Sequence, residues 1–224
     1  MPEKEKRCVD SWHKFFPDYE FRLWNEHNID ITSSVFCRQA YEAKKYAFVS
    51  DYVRTKVLYE CGGIYLDTDF ELIQSLESLL QENYNIAGFE TRLHVGTAIM
   101  CFVPRHSVLK EFLDYYESHS FVDSKGRMDS TANVTILTDL LLLRGLKLDR
   151  SMQVVGDIKI YPRDFFYPKR LEDDNFQLTD NTMGIHRCSN SWMTERQKKR
   201  GNSWLWRKVV RPSLNRCRLV ALKI

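Results

Sequence analysis

The sequence predicts an α/β domain whose sheet binds a ligand at one edge. The chain has 224 residues, 43% of them hydrophobic, which is enough for a sizeable core. Segments with helical and with strand character follow one another along it. Residues 62–69 join two glycines, a short apolar run and two carboxylates. An apolar run after a glycine break indicates a buried strand, and open α/β sheets bind ligands at the carboxyl ends of their strands.

The elements are predicted in order from apolar spacing, caps and breakers. The predicted helices are residues 8–16, a helix that includes 48–58, and then 75–80, 107–118 and 135–144. The predicted strands are 20–24, 64–66, 85–89 and 98–103, and the main loops are 25–31 and 122–130. Ser33 and Ser34 are candidate N-caps upstream of the second helix, and Gly62 with Gly63 ends it.

Asp67 and Asp69 are the candidate metal ligands at the end of the strand 64–66. Two carboxylates one residue apart repel each other unless a cation lies nearby. Hard oxygen ligands suit Mg²⁺ or Mn²⁺, and such an ion can also bind a diphosphate. The alternative is a solvated turn, because Asp-x-Asp alone is a common pattern.

Asp51 and Arg54 share one face of the helix that leads into this strand. One interpretation is a surface ion pair, which would stabilise the helix by only about 0.2 to 0.5 kcal/mol. The other follows from their position, because side chains on the inner face of this helix could reach a ligand held at Asp67 and Asp69. We expect the second.

Three blocks of sequence resemble glycosyltransferase family 32, which includes bacterial capsular polysaccharide enzymes and yeast mannosyltransferases. The blocks are AFVSDYVR at 47–54, LYECGGIYLDTD at 58–69 and HRCSNSW at 186–192. The resemblance extends from about Cys8 to Trp192, and the order of the motifs is also similar to that of the clostridial glucosylating toxins.

The resemblance implies a GT-A fold, a Rossmann-like sheet with helices on both sides, that binds a nucleotide sugar through Mn²⁺ (or Mg²⁺) and retains the anomeric configuration. Asp69 would bind the metal directly, and Asp67 would bind it through water or hold the ribose. Asp51, Arg54 and Tyr65 would contact the donor.

The later residues receive their roles from the same resemblance. His186 would lie near the metal and the diphosphate, as a third metal ligand. Ser191 and Trp192 would close over the β-phosphate from a C-terminal loop. Asn133, with Thr131, would face the reactive carbon of the donor or the acceptor, although helix capping explains both equally well. Residues 158–166 resemble the family's late strand and its aromatic exit.

Family members begin with a strand similar to Ile-Pro-Lys-Ile-Ile-His, which lies upstream of the first residue here. We therefore expect the sheet to lack that strand. The chain would then be trimmed, start at a misplaced codon, or be an inactive copy. A non-catalytic sugar-binding or nucleotide-binding relative is accordingly one alternative function. A phosphohydrolase of the haloacid dehalogenase type is a remote one, because Glu71 stands where its motif needs Thr or Val.

Charge separates a catalytic domain, 1–192, from a basic tail, 193–224. Ten Lys or Arg and one acidic residue follow Trp192, whereas the first 192 residues hold 23 basic and 29 acidic residues. Docking of the tail on an anionic membrane is one interpretation, and a solvated interaction tail is the other. No nucleic-acid-binding module is recognisable.

The remaining expectations concern location, thiols and substrate. No apolar run approaches the roughly 20 residues of a membrane span and no signal peptide opens the chain, so we expect it in the cytoplasm, peripheral on the inner face of the plasma membrane if the tail docks. The six cysteines lack zinc-site spacing and are interpreted as reduced, mostly buried thiols. We expect a UDP-hexose donor rather than GDP-mannose, and a saccharide or lipid-linked saccharide acceptor in capsular or lipopolysaccharide assembly.

Overall fold

The computed structural model describes residues 1–171 and 175–188. The helices are α1 (Glu3–Phe15), α2 (Val35–Glu42), α3 (Tyr46–Cys61), α4 (Glu77–Leu80), α5 (Ser107–Ser118), α6 (Asn133–Leu142) and α7 (Arg163–Phe166). The strands are β1 (Gly63–Leu66), β2 (Phe70–Leu72), β3 (Asn85–Phe89), β4 (Val95–Phe102), β5 (Gln153–Val155), β6 (Ile158–Tyr161), β7 (Lys169–Arg170), β8 (Phe176–Gln177) and β9 (Gly184–His186).

The central sheet has five strands in the order β1-β4-β3-β6-β5. Strands β3 and β6 are parallel, and the other three pairs are antiparallel. Two further ladders, β2 with β9 and β7 with β8, lie outside it. The predicted α/β class is confirmed, and this mixed sheet is consistent with a GT-A-like fold. The expectation of a missing upstream strand stays a prediction.

Side chains alternate between two cores because successive residues of a strand point to opposite faces. Ala87 and Met100 pack with α2, α3, α5 and α6 on one face of the sheet. Ile86 and Ile99 pack on the other face with side chains from β2, α4 and α7. Helices therefore cover both faces, as expected.

Several predicted elements are confirmed with small shifts in their bounds. Helix α5 and strand β3 have the predicted limits, and no end of β4, α4 or α6 differs from the prediction by more than three residues. Helix α3 ends as predicted at Gly62, which has a φ of 66° and donates its N–H to Leu58 O.

The predicted strand at 20–24 is wrong, because those residues pair with no strand in the described part of the chain. Leu23 is 68% exposed, and Arg22 forms an exposed ion pair with Glu20. Apolar and polar residues alternate in this segment, but a strand also needs a neighbouring strand to pair with, and the described residues provide none here.

Two predicted helix starts are also wrong. Helix α1 begins at Glu3 rather than at Cys8, since Glu3 and Glu5 place carboxylates in the first turn, where they interact favourably with the helix dipole. Ser34 caps α2 and not α3. The helical conformation is interrupted between α2 and α3 at Lys44, which has a φ of 56°. The N–H of Lys45 closes the end of α2 by donating to Ala40 O.

Five cysteines lie among the described residues and none of these five forms a disulfide. Cys8 and Cys37 are buried, Cys101 and Cys188 half-buried, and Cys61 exposed, so the expectation of mostly buried thiols holds in part. No helix in the described ranges is both long and apolar enough to span a membrane. The proposed tail 193–224 lies outside the described residues.

Candidate active site

Asp67 and Asp69 occupy the short turn between β1 and β2. Strand β1 is held against β4, with Leu66 opposite Ile99. The pairing continues one residue further, because Asp67 N–H donates to Ala98 O at 2.9 Å. The turn is closed by the N–H of Phe70, which donates to Asp67 O at 2.8 Å. Both carboxylates are half-buried at the end of β1, as the sequence predicts.

His186 reaches these carboxylates through a strand pairing that spans most of the chain. In the antiparallel ladder of β2 and β9, Phe70 lies opposite His186. Arg187 N–H extends the ladder by donating to Asp69 O at 3.0 Å. Phe70 is fully buried, so the register of the ladder is anchored in the core. His186 is thereby placed directly beside Asp69.

The donor set of Asp67, Asp69 and His186 fits a divalent cation. Nε2 of His186 lies 3.3 Å from Oδ1 of Asp69 and 3.9 Å from Oδ2 of Asp67. One ligand atom from each residue lies within 4.8 Å of the others. Two carboxylates with one imidazole suit Mn²⁺, which accepts both oxygen and nitrogen ligands. The prediction of these three residues as metal ligands stays open, but the geometry is compatible with it.

The neighbours of His186 favour the protonated form of its imidazole. Burial alone would lower its pKa, but hydrogen bonds to Asp69 and Cys188 and the nearby charge of Asp67 raise the pKa of His186 to about 11. A divalent cation bound at Nε2 would have to displace that proton, because ligation requires the neutral imidazole.

Arg54 links the helix α3 to this turn. Nη1 lies 3.0 Å from Asp67 Oδ1 and also donates to Thr97 O, while Nη2 lies 3.2 Å from Asp51 Oδ1. Ser50 accepts from the guanidinium through both its carbonyl and its hydroxyl. The Arg54 side chain is only 7% exposed. The ion pair of Arg54 with Asp51 is therefore buried, and the interpretation as a surface ion pair is wrong.

Asp51 and Asn133 join α3 to the start of α6. Asn133 Nδ2 donates to Asp51 Oδ1 at 2.5 Å, and Asn133 is buried. Asn133 Oδ1 also accepts from the N–H of Val134 at 2.7 Å, so this side chain contacts both the first turn of α6 and the site. Burial raises the pKa of Asp51 to about 7, although Arg54 and Asn133 act in the opposite direction.

Tyr65 holds the other side of the same assembly. Its hydroxyl donates to Asp67 Oδ1 at 2.7 Å, the oxygen that also pairs with Arg54. The guanidinium carbon of Arg54 lies 4.8 Å from the centre of the Tyr65 ring, within cation–π distance. Tyr65 and Arg54 thus occupy Oδ1 of Asp67 and leave Oδ2 directed at His186.

Most of the predicted site residues form one connected cluster. It consists of Asp51, Arg54, Tyr65, Asp67, Asp69, Asn133 and His186. Ser191 and Trp192 lie outside the described residues, and the predicted catalytic, metal-binding and donor-binding roles of all nine residues stay predictions. Sequence reasoning missed Glu90 and Cys188, whose ligand atoms lie within 4.8 Å of each other and of one ring nitrogen of His186. No spacing in the chain indicates them.

The family comparison matches the first part of the chain. The model described as "Glycosyltransferase sugar-binding region containing DXD motif" matches residues 2–86, which include Asp67 and Asp69.

Several curated proteins are similar to the chain. Lactosylceramide 4-alpha-galactosyltransferase of Pan troglodytes is 27% identical over 129 residues, 56% of this chain and 33% of that protein. The Rattus norvegicus protein of the same name is 33% identical over 153 residues, 62% of this chain and 39% of that protein. Inositol phosphoceramide mannosyltransferase 3 of Schizosaccharomyces pombe is 34% identical over 88 residues, 36% of this chain and 24% of that protein.

These matches cover between about a quarter and two fifths of the three relatives. No solved structure matches the chain significantly. The similarity nevertheless confirms the predicted resemblance to the glycosyltransferases of the family 32 type.

Proposed function

We propose that this chain, which matches the DXD-containing glycosyltransferase region over residues 2–86, transfers a hexose from a nucleotide sugar in a metal-dependent reaction with retention of configuration. The observation that carries the proposal is the meeting of Asp67, Asp69 and His186 at the end of β1. Their three ligand atoms lie within 4.8 Å of one another, close enough to share one metal ion that would in turn bind the diphosphate.

The metal would be held by Oδ2 of Asp67, by Asp69 and by His186. When bound, Mn²⁺ (or Mg²⁺) supplies positive charge that stabilises the departing nucleoside diphosphate. The protein prepares this set by occupying Oδ1 of Asp67 with Tyr65 and Arg54, so that the second oxygen keeps a defined direction. Such supporting hydrogen bonds usually change metal affinity by about 10-fold to 100-fold.

Asp51 would stabilise the positive charge that develops on the sugar as the leaving group departs. It lies in a poorly hydrated position beside Arg54 and Asn133, where electrostatic interactions are stronger than in water. Arg54 keeps the two carboxylates Asp51 and Asp67 apart in a fixed arrangement and balances their charge. Asn133 donates a hydrogen bond to Asp51 Oδ1, which fixes the orientation of that carboxylate.

A lipid-linked acceptor is favoured by the relatives' names, which describe transfer to lactosylceramide and to inositol phosphoceramide. Those names also describe galactose and mannose as the transferred sugars. We therefore include a UDP-hexose as the preferred donor, with GDP-mannose as the alternative, and a lipid-linked saccharide ahead of a capsular polysaccharide as acceptor.

The basic tail is included in the proposal as a membrane contact. The ten Lys or Arg that follow Trp192 would attract anionic lipids, each by about 1 kcal/mol near the surface. Such docking, on the inner face of the plasma membrane, would bring the site to a lipid-linked acceptor. Equal binding to anionic vesicles by the chain truncated after Trp192 would contradict this part.

The proposed reaction is tested by incubating the chain with UDP-galactose or GDP-mannose, Mn²⁺ and short-chain lactosylceramide. We expect a trisaccharide lipid whose new anomeric centre, assigned by NMR, has the configuration of the donor. The matched variants are Asp69→Ala, which should give no product, and Asp114→Ala, which removes a surface carboxylate paired with Lys110 and should match the parent.

Two results would redirect the assignment. Inversion of the anomeric centre would contradict the retaining mechanism. Binding of the nucleotide sugar with neither transfer to a lipid or saccharide acceptor nor hydrolysis to free sugar would favour the non-catalytic relative.

A further inference from the structure

A second set of possible metal ligands shares His186 with the first. Nε2 of His186 faces Asp69 and Asp67, whereas Nδ1 lies 3.5 Å from the Sγ of Cys188. The carboxylate of Glu90 completes this second set, and one ligand atom each from Glu90, His186 and Cys188 lies within 4.8 Å of the others. One imidazole thus stands between an oxygen-rich set and a set that contains a thiol.

The fold brings these three residues together from distant parts of the chain. Glu90 follows the last residue of β3 and closes the connection to β4, where its N–H donates to His94 O at 3.0 Å. Cys188 follows β9 by two residues and has a φ of 50°, which is uncommon for a residue other than glycine. In that conformation the Cys188 Sγ returns to within 3.6 Å of the carbonyl oxygen of His186.

All three side chains are half-buried, so the cluster is partly screened from water but can be reached by an ion.

The two sets differ in the metals that they favour. Aspartate oxygens suit Mn²⁺ and Mg²⁺, whereas a thiolate with an imidazole and a carboxylate suits Zn²⁺. Three protein ligands are also enough for zinc when a water occupies the fourth position of its tetrahedron. The ligand type therefore separates the two sites, although they share one histidine.

We propose that Glu90, His186 and Cys188 bind Zn²⁺ at a site distinct from the Asp67 and Asp69 set. Binding forms a bond from the metal to the Cys188 sulfur, to His186 Nδ1 and to a Glu90 oxygen, and the thiol proton and any proton on Nδ1 leave to solvent. No electron is transferred. A neutral imidazole that binds zinc through Nδ1 keeps its proton on Nε2. Nε2 then has no lone pair to offer the Mn²⁺ set, so the two ions compete for His186.

Binding is tested with Co²⁺, which replaces Zn²⁺ and gives a near-ultraviolet charge-transfer band when a thiolate is a ligand. We expect the full chain to show this band on titration with Co²⁺ and to lose it on addition of Zn²⁺. Cys188→Ser should remove the band. Cys61→Ser, which changes an exposed thiol elsewhere, should keep it. Absence of the band in the parent, or its persistence in Cys188→Ser, would overturn the proposal.

Two further variants separate this site from its neighbour and from a folding defect. Asp69→Asn should keep the cobalt band, because that carboxylate belongs to the other set. Glu90→Gln should keep a thiolate band but weaken Co²⁺ binding by roughly tenfold, since one charged ligand is lost. A weakened band in Asp69→Asn with an unchanged one in Glu90→Gln would contradict the assignment. Thermal unfolding of each variant shows whether it is folded.

The consequence for transfer rests on the proposed function. With Mn²⁺ in excess, Zn²⁺ should inhibit hexose transfer by the parent and inhibit Cys188→Ser at least tenfold less strongly. Failure of transfer in every variant would refute the proposed function and leave the cobalt result standing. Equal zinc inhibition of parent and Cys188→Ser would place the inhibitory ion at another site.

Discussion

Arg54 Nη1 lies 3.0 Å from Oδ1 of Asp67, and this contact gives the two oxygens of the carboxylate different partners. Oδ1 also accepts a hydrogen bond from Tyr65, whereas Oδ2 faces His186. The orientation of the Asp67 carboxylate is thereby fixed, with Oδ2 directed toward His186. The predictions below test this arrangement and the elements that support it.

Arg54→Ala should lower the free energy of unfolding by about 3 to 5 kcal/mol, because it leaves Asp51 and Asp67 buried without their shared cation. Chemical denaturation at pH 7 measures the effect. The control is Arg22→Ala, which removes an exposed ion pair with Glu20 and should leave the midpoint nearly unchanged. Equal midpoints for both variants and the parent would show that the buried bridge does not stabilise the fold.

Tyr65→Phe should weaken Mn²⁺-dependent nucleotide binding by roughly tenfold while the protein stays folded, because Asp67 loses one of the two groups that orient it. Titration calorimetry gives the affinity. Tyr19→Phe removes a comparable hydroxyl contact with Glu77 on the exposed surface and should bind as the parent does. Unchanged affinity in Tyr65→Phe would mean that Oδ1 needs no support from this hydroxyl.

Asp51→Asn should stabilise the protein more at pH 8 than at pH 4. Burial raises the pKa of Asp51 to about 7, so between about pH 4 and pH 7 the folded parent holds a proton that the unfolded chain has released. The stability of the parent therefore falls across this window, and the asparagine variant lacks that loss. We expect a difference of about 1 to 3 kcal/mol above pH 7. Denaturation curves that keep a constant separation from pH 4 to pH 8 would contradict the raised pKa.

Gly184→Ala should disturb the ladder that carries His186. A Cβ at this position would lie 2.4 Å from a ring carbon of Phe70 and 3.0 Å from Glu71 O, and Phe70 is fully buried. Overpacking of this kind costs about 1 to 3 kcal/mol, and we expect loss of Mn²⁺-dependent binding with it. In Gly126→Ala the new Cβ meets no atom within 4 Å, and the strain from the φ of 75° falls on an exposed loop, so this variant should retain binding. Normal binding by Gly184→Ala would separate the position of His186 from the register of β2 and β9.

The strand end at Asp67 could be predicted because its signals are local. Two glycines, an apolar run and the carboxylates lie within residues 62–69, and the end of α3 is dictated by the φ of 66° at Gly62. The helical spacing that put Asp51 and Arg54 on one face is local too. Their burial was not predictable, because it depends on contacts with Thr97 and Asn133 from later elements.

The parts that could not be predicted depend on long-range pairing. Strands β2 and β9 have only three residues each, too few for a periodic pattern, and they form because each pairs with the other. Residues 20–24 show the opposite case, a strand-like pattern without a partner in the described structure. Glu90 and Cys188 carried no spacing typical of a metal site, since their proximity arises only when β3 and β9 end at the same place.

The central claim is that Asp69 and its neighbours bind a nucleotide through a divalent cation. Calorimetric titration of the full chain with UDP and with GDP, each with and without Mn²⁺, tests it most directly, with Asp69→Ala and Asp114→Ala as the paired variants. We predict that one nucleotide binds only when Mn²⁺ is present, that Asp114→Ala binds it equally and that Asp69→Ala does not bind it. Binding of the same strength without Mn²⁺, or by Asp69→Ala, would contradict the claim.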